Sequence, residues 1–121
     1  MRKQILIADK DPKTCAELQN IFKREGYDVY CVENGIDCLH FLERGFSGIL
    51  FINLVIPKLD GWATIKEIVR RRLEKKVSII VMTATGTIHH QKMIGLEPYV
   101  YDYIVKPFDA KQIIQNIKKL Y

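Results

Sequence analysis

The run Gly48-Ile-Leu-Phe-Ile52 constrains this chain more than any other stretch. It carries no charge and ends abruptly at a polar residue, Asn53; Pro57 follows four positions on, then the turn pair Asp60-Gly61. A short Ile-rich run bounded by turn residues reads as a strand buried on both faces. Burying both faces takes a layer of helices on each side. The side chain at the carboxyl end of such a strand is where open α/β sheets place their chemistry. Asn53 holds that place, and it is an amide.

The rest of the chain supplies what the central strand needs. Residues 4–8 are strand-like, and Asp11 followed by Pro12 reads as an N-cap with proline in the first helical turn. Cys15, Leu18, Ile21 and Phe22 recur at helical spacing up to Gly26, and Tyr27–Val32 alternates as a strand. Asn34-Gly35 reads as a turn or as the cap of a short helix carrying Ile36, Leu39 and Leu42, closed by Gly45. Trp62, Ile65, Ile68, Val69 and Leu73 give a third amphipathic helix, and Val77–Met82 a second fully apolar strand. A weaker helical stretch spans about Ile88–Leu96. Tyr101–Val105 is the last strand, and Asp109 caps a final helix with Ile113, Ile114, Ile117 and Leu120 inward. Strand and helix thus alternate about five times, which predicts a parallel sheet with helices on both faces.

Length and composition suit one domain over residues 1–121, with 48% hydrophobic and 27% charged residues. No apolar run approaches the roughly 20 residues that span a bilayer. The N-terminal apolar segment is too short for a signal-peptide core, so a cytoplasmic location is expected, with no membrane partner. Cys15, Cys31 and Cys38 are odd in number and lack C-x-x-C spacing, so buried free thiols are expected over a disulfide framework or a zinc site. A net charge of +5 is compatible with acidic protein partners, with nucleic acid, or with solubility alone.

Taken in order, several short features point to one family. They are Asp9-Lys10-Asp11 after the first strand, Asn53 with Pro57 after the third, Asp60-Gly61, Thr83-Ala84 after the fourth, and Tyr103-Ile-Val-Lys106-Pro107-Phe108 at the fifth. Each is weak alone; together and in this order the chain resembles the receiver domain of bacterial two-component response regulators, over essentially its whole length. The resemblance implies a flavodoxin-like (βα)5 doubly wound sandwich with a five-stranded parallel sheet. It also implies that position 53 would be an Asp accepting a phosphoryl group from a histidine kinase, and that acids at positions 9 and 10 would help hold Mg²⁺. Thr83 and Lys106 match the residues that contact phosphoryl oxygens, Tyr103 matches an aromatic whose rotamer reports the switch, and the resemblance suggests a cis Lys106-Pro107 bond.

Two departures bear on that chemistry. A carboxylate attacks phosphorus as an anionic oxygen; the Asn53 amide has no such charge, though it is nearly isosteric with Asp. Mg²⁺ favours hard oxygen donors including carboxylates, and here Asp9 and Asp11 are balanced by Lys10 and Lys106. If Asp11 serves as a helix cap, the pocket turns positive, and an ammonium from Lys10 or Lys106 is expected to pair with Asp9. Mg²⁺ binding is therefore expected to be weak or absent, with no catalytic residue and no enzyme activity.

The leading expectation is a phosphorylation-independent protein-interaction module in a two-component or related signalling pathway, docking through Tyr99, Tyr101 and Tyr103 at period 2 on one side of the last strand; a homodimer is left open. One alternative is a phosphorelay-competent receiver, with position 53 changed by engineering or with another acceptor; an engineered change would not explain Lys10. Another is nucleic-acid binding through Arg70-Arg71-Arg72 and Lys75-Lys76. That run reads better as a solvated helix end, where cations suit the helix dipole, and no interleaved aromatics support nucleic acid. His89-His90 read as surface residues. A nucleotide- or flavin-binding relative is disfavoured because Asp-Lys-Asp-Pro stands where a Gly-rich phosphate loop would be.

Overall fold

The fold follows from which residues the strands can bury. The computed structural model describes residues 3–84 and 95–120. Five strands, β1 (Gln4–Ala8), β2 (Asp28–Val32), β3 (Gly48–Asn53), β4 (Val77–Thr83) and β5 (Val100–Val105), form one parallel sheet in the order β2-β1-β3-β4-β5. Among the described residues four helices, α1 (Pro12–Arg24), α2 (Gly35–Glu43), α3 (Gly61–Arg70) and α4 (Ala110–Lys118), cover its two faces. This is the flavodoxin-like arrangement. The helical stretch expected at about Ile88–Leu96, with His89 and His90, falls mostly outside the described residues.

Alternation along each strand divides the core into two layers. Leu6, Ala8, Leu50, Ile52, Ile79 and Val81 point to α2 and α3, where Leu39, Leu42, Trp62, Ile65 and Ile68 meet them. Ile5, Ile7, Ile49, Phe51, Ile80 and Met82 point to α1 and α4, against Leu18, Phe22, Ile113 and Ile117. Each helix begins at a side-chain cap: Asp11, Asn34, Asp60 and Asp109 each accept a backbone N–H of the first turn. Such caps contribute about 1 kcal/mol apiece.

Three expectations change. The inward stripe of α1 is Thr14, Leu18 and Phe22, while Cys15 and Ile21 are half-buried. Cys15 and Cys31 are not free thiols: they form a disulfide between α1 and β2, and only Cys38 is a buried free thiol. The crossover from β1 to β2 lays α1 along its neighbour, bringing the two Cα atoms to 6.3 Å, a separation a disulfide spans. Spacing motifs do not register a pair made by tertiary contact.

The third change concerns the tyrosines, which do not share one side of a regular strand. Tyr99 lies in a 3-10 turn before β5 (Glu97–Tyr99), and the register slips so that Ile79 pairs with Val100 but Ile80 with Asp102. Tyr101 is the extra residue of this bulge and is 44% exposed, whereas Tyr99 and Tyr103 pack against the α2–α3 layer.

Candidate functional site

In the order β2-β1-β3-β4-β5 the chain reverses direction of winding between β1 and β3, and ligands of such sheets bind outside the strand ends at that point. Asp9 follows β1 and Asn53 ends β3, so both sit there. Side-chain parity then selects their company. Asp9 continues the series Ile5-Ile7, Asn53 the series Ile49-Phe51, and Lys106 follows Ile104, all on the α1–α4 side. The result is a compact polar group under the first turn of α1.

Asp9 is its centre and is only 3% exposed. Its Oδ1 accepts the Asp11 N–H at 2.9 Å. Its Oδ2 accepts from Lys106 Nζ at 2.7 Å and from Asn53 Nδ2 at 3.0 Å. Lys106 Nζ also donates to Thr14 Oγ1 at 3.1 Å. The Asn53 amide is oriented from both ends, since its Oδ1 accepts the Val55 N–H at 3.1 Å. A carboxylate at 53 could accept from Val55 but could not donate to Asp9. The amide thus makes an attractive contact where two carboxylates would repel each other.

Of the two candidate ammonium groups, Lys106 pairs with Asp9, while Lys10 is exposed. Asp11 spends its carboxylate on the Lys13 N–H as the cap of α1. The charges at the site are therefore one carboxylate and one ammonium in direct contact. Among the described residues no group of three or more His, Cys, Asp or Glu side chains is placed to hold a metal ion.

Thr83 is buried at the end of β4, and its carbonyl accepts the Lys106 N–H at 2.9 Å. It follows Met82, the β4 partner of Asn53, and is itself paired with Val105 at the same end of the sheet. Burial, then the nearby Glu97 carboxylate, pushes the Tyr103 hydroxyl pKa up. The Lys106-Pro107 peptide is cis. Thr14, which no sequence motif marks, joins the site; its one signal is a polar residue on the Leu18–Phe22 stripe of α1, four positions before Leu18.

The basic run at the end of α3 is partly engaged. Arg70 donates to Glu67 at 2.7 and 2.8 Å, and Arg71 pairs with Glu67 and Glu43. Those contacts fit a helix end held by ion pairs. No described helix is long and apolar enough to cross a membrane.

The family model of the response regulator receiver domain matches residues 5–118. A CheY-like response regulator receiver domain protein from Methanospirillum hungatei JF-1 is similar, with a TM-score of 0.90 and 32% identity, covering 99% of this chain and 94% of that one. The Francisella response regulator 1452 receiver domain has a TM-score of 0.82 and 26% identity over 99% of this chain and 97% of its own. The receiver domain of a sensor histidine kinase from Pseudomonas aeruginosa PAO1 shares the fold at 22% identity and a TM-score of 0.85, covering 98% and 97% of the two chains; its structure holds a magnesium ion coordinated in the active-site cleft.

Proposed function

The chain belongs to the response regulator receiver domain family, and from that premise we propose that it is a signalling module whose state is set without phosphoryl transfer. Receiver domains act in two-component signal transduction through protein partners. The observation carrying the proposal is that Lys106 Nζ and Asn53 Nδ2 both donate to Asp9 Oδ2. The acceptor position holds an amide, which lacks the anionic oxygen that attacks phosphorus.

The residues present do not fit a Mg²⁺ site of the kind that the Pseudomonas relative holds. Mg²⁺ is usually held through one or two carboxylates in near-ideal octahedral geometry. Here Asp9 is engaged on both oxygens and Asp11 is turned to its helix cap. With an amide at 53 and Lys10 in place of a second acid, Asp9 alone supplies the site's carboxylate, and its charge is already offset by Lys106. In this reading the domain is not an enzyme, acts in the cytoplasm, and docks a partner protein at the β5 edge of the sheet, where Tyr101 is exposed, with a second copy of the chain as one candidate partner. Nucleic acid is disfavoured because Arg70 and Arg71 are committed to Glu67 and Glu43.

Calorimetric titration with Mg²⁺ tests the reading. The expected result is no saturable heat at concentrations that fill a phosphorylatable receiver run in parallel. Saturable binding accompanied by thermal stabilisation would overturn it.

A further inference from the structure

We propose that the Cys15–Cys31 pair is a reversible redox site, and that its state is relayed to Asp9 through the first turn of α1. The bridge ties α1 to β2 beside the polar group, and three short connections run from it. The Cys15 N–H donates to the Asp11 carbonyl at 3.3 Å, and the Asp11 N–H donates to Asp9 Oδ1 at 2.9 Å. Next to Cys31, the Val32 carbonyl accepts the Asp9 N–H at 3.0 Å. Next to Cys15, Thr14 accepts from the Lys106 ammonium that pairs with Asp9. The crosslink therefore fixes, relative to β2, the helical turn that supplies two of the site's contacts.

Access favours exchange over a sealed structural bridge. A cavity of about 200 Å³ is lined by Cys15, Cys31, Gln19 and Glu33 and extends to Asp9 and Lys10, so the bridge borders an open cavity next to the first residue of the site. Cys15 and Cys31 are each half-buried, whereas Cys38 is wholly enclosed. The first turn of a helix favours an anion, which suits a thiolate at Cys15. In a glutathione-buffered compartment, disulfides of this kind are redox-sensing and not permanent.

The step is thiol–disulfide exchange with a low-molecular-weight disulfide. One protein thiolate displaces a small thiol to form a mixed disulfide; the second attacks the protein sulfur of that intermediate and releases the other small thiol. One S–S bond forms in the protein and one breaks in the reagent. The two protons leave with the released thiols, and the protein gives up two electrons.

The experiment equilibrates the folded protein across ratios of reduced to oxidised glutathione, traps thiols with a maleimide, and counts adducts by intact mass with no phosphodonor present. The expected count moves from two at the reducing end to none at the oxidising end, with Cys38 unlabelled throughout. On reduction, hydrogen exchange at the Cys15 and Asp11 amides should quicken several-fold while the β3 amides hold. Cys15→Ser and Cys15→Ala should each show the faster exchange whatever the glutathione ratio. The proposal is overturned if the folded protein keeps one thiol state at every ratio, or if the thiols interconvert and those two amides exchange unchanged. Because the readout uses neither Mg²⁺ nor phosphoryl transfer, its failure is separable from failure of the function proposed above.

Discussion

Asp9 and Lys106 are 97 positions apart in sequence, and their charged groups meet at 2.7 Å. Asp9 is almost fully enclosed and the Lys106 side chain is 20% exposed, so the pair is largely removed from water. A buried carboxylate persists only when its oxygens are satisfied. Lys106, Asn53 and the Asp11 N–H together do that, with no ion required for charge balance.

Lys106→Met should therefore destabilise the fold by about 3 kcal/mol, because it strands the Asp9 charge. The double variant Asp9→Asn with Lys106→Met should recover much of that loss, since neither charge remains. Urea denaturation of the wild type, both single variants and the double variant gives the coupling. Additive losses would mean that the pair is not energetically linked.

Asn53→Asp places a second carboxylate against Asp9. Without metal it should lower stability, and Mg²⁺ should restore it in this variant while leaving the wild type unmoved. Phosphoryl uptake by the single variant should stay low, and adding Lys10→Asp should raise it by supplying another oxygen donor near the helix cap. Full uptake from the single change would show that Lys106 yields readily to the metal and that Lys10 is immaterial. Melting curves with and without Mg²⁺, run beside phosphodonor labelling, decide this.

Gly61→Ala should disturb the site from behind. A Cβ on Gly61 would stand 2.7 Å from both the Asn53 carbonyl oxygen and the Leu54 Cα, which are backbone atoms that cannot swing aside. The expected outcome is a destabilised β3–α3 connection, with faster hydrogen exchange at the Gly61 amide, which donates to the Leu54 carbonyl at 2.9 Å. An unchanged melting temperature would contradict the packing.

Burial pushes the Cys38 thiol from an ordinary 9.0 up to about 12. Between those values the folded state holds a proton that the unfolded state has lost, so stability should fall as pH rises through that range. Denaturation midpoints of wild type and Cys38→Ala, compared from neutral to strongly alkaline pH, isolate this contribution. Parallel pH profiles would show that Cys38 does not contribute.

The sheet and its described helices were legible because residue alternation and cap chemistry are local, whereas the site positions came from the order of short features shared with a family. Gly48–Ile52 reads as a doubly covered strand, and Asp11-Pro12 reads as the opening of a helix, and both stand so in the structure. What was not legible depended on neighbours far along the chain. Thr14 looks like any helical threonine until Lys106 is beside it. Cys15 and Cys31 carry no spacing motif, and their contact exists only after α1 packs along β2. The period-2 reading of Tyr99, Tyr101 and Tyr103 failed because a bulge shifts the register between Ile79 and Ile80, which alternation alone does not reveal. The sequence left Lys10 and Lys106 equal as partners for Asp9; burial separates them.

The most direct measurement is intact-mass spectrometry after incubation with a small-molecule phosphodonor and Mg²⁺, with a phosphorylatable receiver domain as control. The control should gain a phosphoryl group while this protein keeps its mass. A stoichiometric acyl-phosphate adduct on this protein, mapped to Asp9 or Asp11, would contradict it.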